Sequence, residues 1–224
     1  MKKAVILGTE NMHAISFAEA LLDGYLPGVE LIGAYGEYED ANDVFRRMGV
    51  RLARDPADFV GEADVALATA RHGDKHFEQI LPYAEAGAIL WIDKPFCVSK
   101  DKAHALIEAA RKSGSLVAGG SFMPFAPAFV RLAESLKNRP ADRPLLGGSV
   151  VCPVRMEEEF GGFFFYTQHL VEIVLSVFGK DVRSVWASRN GVNVSAICRY
   201  DGFDVSCLWH EGGFHYDACV CYPD

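Results

Sequence analysis

Short apolar runs alternate with amphipathic stretches of helical length through the first half of the chain. Ala4-Val5-Ile6-Leu7 reads as a strand, and Ala14 to Leu22 has helical spacing. Val29 to Tyr35, Val65 to Ala68, Ala88 to Ile92 and Ser115 to Ala118 are further strand candidates. Helices are predicted over about Asp40–Met48, Lys75–Ala86 and Lys100–Lys112. Strands that alternate with helices of this length form βαβ units, and right-handed crossovers then give a doubly wound parallel sheet.

The character changes after Gly119-Gly120. A helix is predicted from about Pro127 to Lys137, followed by a proline-rich stretch from Asn138 to Pro144. A strand near Gly148–Val154 and an apolar helix over about Phe164–Phe178 come next. Beyond Asp181 the pattern predicts strands at Val182–Ser188, Val192–Tyr200, Phe203–His210 and Phe214–Tyr222. Asn190-Gly191 and Asp201-Gly202 are hairpin signals, because both residues of such a pair tolerate positive φ. These elements make a smaller α+β domain with a mainly antiparallel sheet under one covering helix. The expected division is residues 1–122 and 123–224. The last strand candidate runs into Tyr222-Pro223-Asp224, which leaves little chain to cover a sheet edge. An uncovered edge tends to pair, so a homodimer or higher homo-oligomer is expected, unless the chain lacks a tail of its own.

Composition narrows the class. Half of the 224 residues are hydrophobic, and the formal net charge is -8. Nucleic acid selects clustered Lys and Arg, so it is not an expected partner. The apolar run after Lys2-Lys3 stops at Gly8, short of a signal peptide, and no stretch has the length of a membrane span. Of the six cysteines, Cys97, Cys152, Cys198, Cys207, Cys219 and Cys221, none forms a C-x-x-C pair. They read as reduced thiols of a cytoplasmic protein.

Ligands of doubly wound sheets bind beyond the carboxyl ends of the strands. That rule selects Gly8-Thr9-Glu10-Asn11, Tyr35-Gly36-Glu37, Thr69 to His76, and Asp93-Lys94-Pro95. Lys94 stands where a strand stops, held extended by the proline that follows it. A lysine so placed suits anchoring a substrate hydroxyl or sharing proton transfer, and a surface lysine before a turn proline is the alternative. His169 and Glu172 are an i, i+3 pair on one helical face, read either as an imidazole oriented by a carboxylate or as a packed helix histidine. No H-E-x-x-H spacing and no G-x-S-x-G elbow occurs, so neither a metal centre nor a serine hydrolase is expected.

Three segments carry a resemblance. Glu85-Ala86-Gly87 through Asp93-Lys94-Pro95-Phe96 resembles an (E/D)-K-P signature after an A-G-x-x-V strand. Gly120-Ser121-Phe122-Met123-Pro124-Phe125-Ala126-Pro127 is similar to a stretch leading out of a nucleotide domain. Gly161-Gly162 through Phe178-Gly179 is similar to a glycine-rich turn and a histidine-bearing helix. Together they resemble the glucose–fructose oxidoreductase, inositol dehydrogenase and MocA-like oxidoreductases, from the first strand to about Gly179. The resemblance implies a Rossmann-like first domain, a divergent and C-terminally short second one, and oxidation or reduction of a sugar or cyclitol carbinol with NAD or NADP.

On that resemblance Lys94 and His169, with Glu172, are the candidates for proton handling, and Lys94, Tyr166 and His169 for substrate contact. The cofactor candidates are Gly8, Thr9, Asn11, Glu37, Thr69, Arg71, His76, Lys94 and Pro95. The chain also departs from the pattern. Of the glycine-rich turn G-x-G-x-x-G/A only Gly8 survives; a bound dinucleotide needs a shifted loop, or Thr9 and Asn11 donating in place of main-chain amides. The acid that ends the second strand is replaced by Gly36, and Glu37 beside it is the candidate for a ribose hydroxyl. With no arginine at that strand end, NAD is expected over NADP. Phe165 and Pro124 stand where relatives carry aspartate and arginine. The departures leave a second reading open, a catalytically degenerate sugar- or nucleotide-binding regulatory protein on the same fold without competent hydride transfer, and with it the alternative that no cofactor is bound.

Overall fold

The computed structural model describes residues 1–157 and 159–223. The chain divides into two compact units, Met1–Gly120 and Ser121–Asp224.

The first unit is a parallel sheet of β1 (Lys2–Leu7), β2 (Val29–Tyr35), β3 (Val65–Ala68), β4 (Ile89–Asp93) and β5 (Val117–Gly120). The strand order is β2-β1-β3-β4-β5. Its helices are α1 (Met12–Leu22), α2 (Glu39–Arg47), α3 (Gly73–Glu85) and α4 (Lys100–Ser113). Ala4 to Leu7 are all fully buried. A strand buried on both faces cannot show polar alternation, which is why this segment reads as a continuous apolar run. Val5 and Leu7 pack with Ile80 and Tyr83 of α3 and Leu106 of α4. Ala4 and Ile6 pack on the opposite face with Ala14 and Ala18 of α1 and Phe45 of α2. Leu52 adds a single parallel bridge to Ala34 beside β2.

Helix ends follow local chemistry. Ser99 caps α4 by accepting the Lys102 N–H, Arg111 and Lys112 lie in its last turn, and Gly114 closes it in the left-handed conformation at φ +77°.

The second unit holds α5 (Pro127–Lys137), β6 (Gly147–Pro153), α6 (Phe164–Phe178), β7 (Ser184–Asn190), β8 (Asn193–Arg199), β9 (Asp204–His210) and β10 (Asp217–Cys221). A 3-10 turn, Met123–Phe125, precedes α5. The sheet order is β10-β6-β9-β8-β7. All pairings are antiparallel except β6 with β9, so the sheet is mixed. α6 is the covering helix. Its buried positions include Phe165, His169, Ile173 and Val177, spaced by four, and these form a stripe with Leu170, Val174 and Phe178. That stripe meets Val150 and Cys152 of β6 and Val205, Cys207 and Trp209 of β9. β10 is an edge strand, with Cys219 and Cys221 on its exposed side. All six cysteines are free thiols.

The β7–β8 hairpin differs from expectation in its turn. Asn190 pairs with Asn193, so the loop is Gly191-Val192, and only Gly191 has positive φ, +60°. A positive φ at the first loop position alone belongs to the II′ class, whose glycine stands first. Among the described residues no helix is long and apolar enough to cross a membrane.

Candidate functional site

The loops after β1, β3 and β4 gather at the carboxyl end of the parallel sheet. Gly8 follows β1 at φ +99°, and a Cβ there would come within 2.2 Å of the Ala70 main-chain nitrogen. Only glycine fits this turn. Asn11 caps α1, its Oδ1 accepting the His13 N–H at 3.1 Å, while its amide donates to Asp93 Oδ2 at 3.0 Å. The first turn of α1 carries no acidic side chain.

The two missing glycines of the turn are replaced by side chains with defined partners. Glu10 Oε1 accepts the Arg71 main-chain N–H at 3.0 Å. His13 Nδ1 lies 2.7 Å from the buried carboxylate of Asp93, with a third of the imidazole side chain exposed. The first loop is thus tied to the loops after β3 and β4. His13 is a polar-site residue that the sequence did not single out, and its pairing with Asp93, at a strand end already selected, is hidden by their 80-residue separation.

Thr9 and Thr69 face inward. Thr9 is 1 % exposed and donates to Asn42 Oδ1 at 2.8 Å, and Asn42 in turn donates to the Gly36 carbonyl at 3.0 Å. A Cβ on Gly36 would meet Thr9 Oγ1 at 1.8 Å. The threonine therefore fills the space an acidic side chain at position 36 would need, which accounts for the shift of the acid to Glu37. Glu37 Oε1 pairs with Lys75 Nζ at 3.1 Å, and that contact raises the Lys75 ammonium above its ordinary value. Thr69 donates to the Gly8 carbonyl at 2.7 Å and stiffens the turn.

His76, expected at the cofactor, is a buried strut. Its Nδ1 lies 2.9 Å from the Pro95 carbonyl and its Nε2 lies 2.7 Å from that of Ala70. Two carbonyls favour the doubly protonated ring, yet full burial outweighs them and pushes the imidazole below its ordinary value of 6.5. The folded ring takes up a proton less readily than the unfolded one, whose imidazole titrates near pH about 6.5. This contribution to stability is complete above that pH and lost as pH falls below it. The expected result is an unfolding midpoint that drops more steeply on acidification in the wild type than in His76→Gln, read by thermal denaturation across that range.

Asp93, Lys94 and Pro95 end β4, and the Lys94–Pro95 peptide bond is cis. Lys94 is buried, at 7 % exposure. Gly73 opens α3 directly under this turn, where a Cβ would lie 2.8 Å from Pro95 Cγ. Arg71 is half-buried between β3 and α3.

In the second unit α6 carries His169 at 2 % exposure. Aromatic rings surround it, with Phe122, Tyr166 and Tyr216 at centroid distances of 6.0, 5.9 and 5.6 Å. The expected His169–Glu172 contact takes a different form. Glu172 accepts the Ser121 main-chain N–H through both oxygens, at 3.0 and 3.1 Å, and the Gln168 amide at 2.5 Å. It is the Ser121 hydroxyl that meets His169 Nδ1, at 2.6 Å. Glu172 acts on the imidazole one residue removed, and Ser121, 48 positions from His169, was not legible as its partner. Tyr166 lines a cavity of about 420 Å³ with Arg155, Glu157, Glu211 and Phe214. Its ring stands edge-on to Phe214 at 5.6 Å.

Comparison with known proteins bears on the family and the fold. The profile of the Gfo/Idh/MocA oxidoreductases, described as an oxidoreductase family with an NAD-binding Rossmann fold, matches residues 2–121. An inositol 2-dehydrogenase of Rhodococcus erythropolis is 26 % identical over 180 residues, 77 % of this chain and 51 % of the relative. The chain thus spans about half the length of that curated relative. Among solved structures, the apo scyllo-inositol dehydrogenase of Lactobacillus casei superposes with a TM-score of 0.79 at 15 % identity, over 98 % of this chain and 72 % of the other. GenD2 of gentamicin A biosynthesis, solved with NAD, gives 0.79 at 18 %, over 99 % and 72 %. At such identities the structures speak for the fold. The matched first unit is the diagnostic part, and by it the chain belongs to the Gfo/Idh/MocA family of oxidoreductases, whose NAD-binding Rossmann fold it carries.

Proposed function

We propose that the protein is an NAD-dependent oxidoreductase acting on a carbinol carbon of a sugar, polyol or cyclitol. The observation that carries this reading is the Gly8 turn, a left-handed glycine leading into an α1 N-terminus free of acidic side chains in its first turn. A helix start of that kind suits a pyrophosphate. The residues fit a dinucleotide as follows. Gly8 and the α1 N-terminus would hold the pyrophosphate, with Glu10 engaged on Arg71 and His13 on Asp93. Glu37 would take a ribose hydroxyl at the end of β2. No arginine stands at that strand end, which favours NAD over NADP. Thr9, Asn11, Thr69 and His76 serve the cofactor indirectly, as braces of the loops around it.

The chemistry supplied by the nicotinamide is hydride donation and acceptance. In this reading Lys94 and Pro95 belong to the nicotinamide end, Lys94 orienting the reacting hydroxyl. His169 handles the proton, and Glu172 holds the segment that positions it. Tyr166 and Phe214 offer the apolar edges of a sugar-sized cavity, and Arg155, Glu157 and Glu211 offer polar partners for hydroxyls. The test is a panel of sugars, polyols and cyclitols incubated with NAD+, and their ketones with NADH, followed by nicotinamide absorbance. Turnover of a cyclic polyol is expected; absence of turnover across the panel by protein that binds NAD favours a binding or regulatory role.

We also propose a cytoplasmic homo-oligomer. Trp186 on β7, Ile197 on β8 and Leu208 on β9 are exposed at 64, 36 and 39 % along the second sheet. Contiguous apolar side chains of this size favour self-association. Sedimentation of Trp186→Glu beside the wild type tests it: a smaller particle is expected, and an unchanged one removes this face from the interface.

A further inference from the structure

We infer that Lys75 is a specificity-determining residue for the dinucleotide: its ammonium, paired with Glu37, offsets the charge that would bar a 2′-phosphate, so that the site prefers NAD yet admits NADP. The inference rests on the reading of Glu37 as the ribose-binding acid and adds what sets the margin between the two cofactors.

Both partners are held in place by buried neighbours. Thr9 donates to Asn42 Oδ1 at 2.8 Å and Asn42 to the Gly36 carbonyl at 3.0 Å, which fixes the turn that carries Glu37 past β2. Lys75 lies in the first turn of α3, between the capping His72 and the buried strut His76. That strut ties the helix start to the Ala70 and Pro95 carbonyls. From this base Lys75 Nζ reaches Glu37 Oε1 at 3.1 Å. The acids beside it on α3, Asp74 and Glu78, pair with Lys102 at 3.4 and 3.5 Å. The Lys75 charge is thereby directed at the end of β2, a strand far from it in sequence.

That strand end is acidic. Burial is the first cause that raises the Tyr35 phenol, and Glu37, Asp55 and Glu10 add to it, with Lys75 opposing them. The hydrogen bond to Glu37 is in turn what most raises the Lys75 ammonium. A ribose hydroxyl donates to a carboxylate, whereas a phosphate monoester brings about two negative charges and accepts only. Glu37 alone therefore takes the hydroxyl and repels the phosphate. An ammonium beside it attracts the phosphate and narrows the discrimination. The Lys75 and Glu37 side chains are 43 and 40 % exposed, so a ligand reaches both. A lysine head on a flexible stem can turn from a carboxylate to a phosphate.

The test is calorimetric titration of the protein with NAD+ and NADP+ at low ionic strength, in the wild type, Lys75→Met, Lys75→Arg, Glu37→Gln and Glu37→Gln combined with Lys75→Met. The readout is the ratio of the two dissociation constants, which a merely structural role does not move. Lys75→Met should shift that ratio towards NAD+ by about fivefold, the upper range for an exposed ion pair, and Lys75→Arg should keep the wild-type ratio. Glu37→Gln should gain NADP+ affinity and lose NAD+ affinity, and adding Lys75→Met should cancel the gain. An unchanged ratio in folded Lys75→Met overturns the inference while leaving the NAD reading intact. A Glu37→Gln protein that gains no NADP+ affinity overturns it likewise. Failure of the folded wild type to bind either dinucleotide removes the NAD reading and this inference together.

Discussion

Gly8→Val is expected to unfold much of the first unit or leave it unable to bind a dinucleotide. The native φ of +99° is strained for any side chain, and the added Cβ would overlap the Ala70 main-chain nitrogen at 2.2 Å. Strain of this kind costs about 1–3 kcal/mol and overpacking about 1–3 kcal/mol more. Against a total stability of about 5–15 kcal/mol, that is a large share. Gly24 is the internal control: its φ is +74°, yet a Cβ there would meet nothing within 4 Å. Gly24→Val should show the backbone strain alone. Denaturant midpoints of the two variants beside the wild type separate the terms. Equal losses at both positions would mean that the close approach to Ala70 contributes nothing.

The second large effect is on turnover. His169→Asn is expected to lower kcat/KM by about 10²–10⁴-fold, the range for loss of a positioned acid–base group. NAD affinity should stay within error, because the substitution lies in the second unit and the proposed dinucleotide contacts lie in the first. Glu172→Gln should cost less, since its amide can still accept one of the two contacts with the Ser121 N–H. A His169 variant with full activity, or one that loses NAD affinity and turnover together, would contradict the role given to it. Rates and binding isotherms measured on the same preparations decide this.

The fold was legible because its signals are local. Ala4 to Leu7 read as a buried strand from four consecutive apolar residues, and the stripe from Phe165 to Phe178 read as a covering helix from its period. A short pair also carried a turn, as Asp201-Gly202 does. The Asn190-Gly191 signal located its hairpin but misplaced the loop by one residue, since cross-strand register chose Gly191-Val192.

The site was legible only in part, because its partners are far apart in the chain. Lys94 and His169 stood out through their neighbours in sequence. That Thr9 fills the space beside Gly36 depends on Asn42, which no spacing rule connects to either. His76 looked like a loop histidine poised for a ligand, whereas tertiary packing turned it inward onto two carbonyls. His13 was hidden for a different reason. It occupies a glycine position of a familiar turn, so it read as a defect until its contact with Asp93 gave it a partner. Residue identity proposes chemistry; the contacts across the fold decide which atoms remain available for it.

The central claim is that this first unit binds NAD despite the lost glycines. Calorimetric titration of the purified protein with NAD+, NADH, NADP+ and NADPH tests it most directly. The account predicts micromolar binding of NAD+ or NADH, weaker binding of the phosphorylated pair, and loss of binding in Gly8→Val. Absence of binding by any of the four to folded wild-type protein would contradict it.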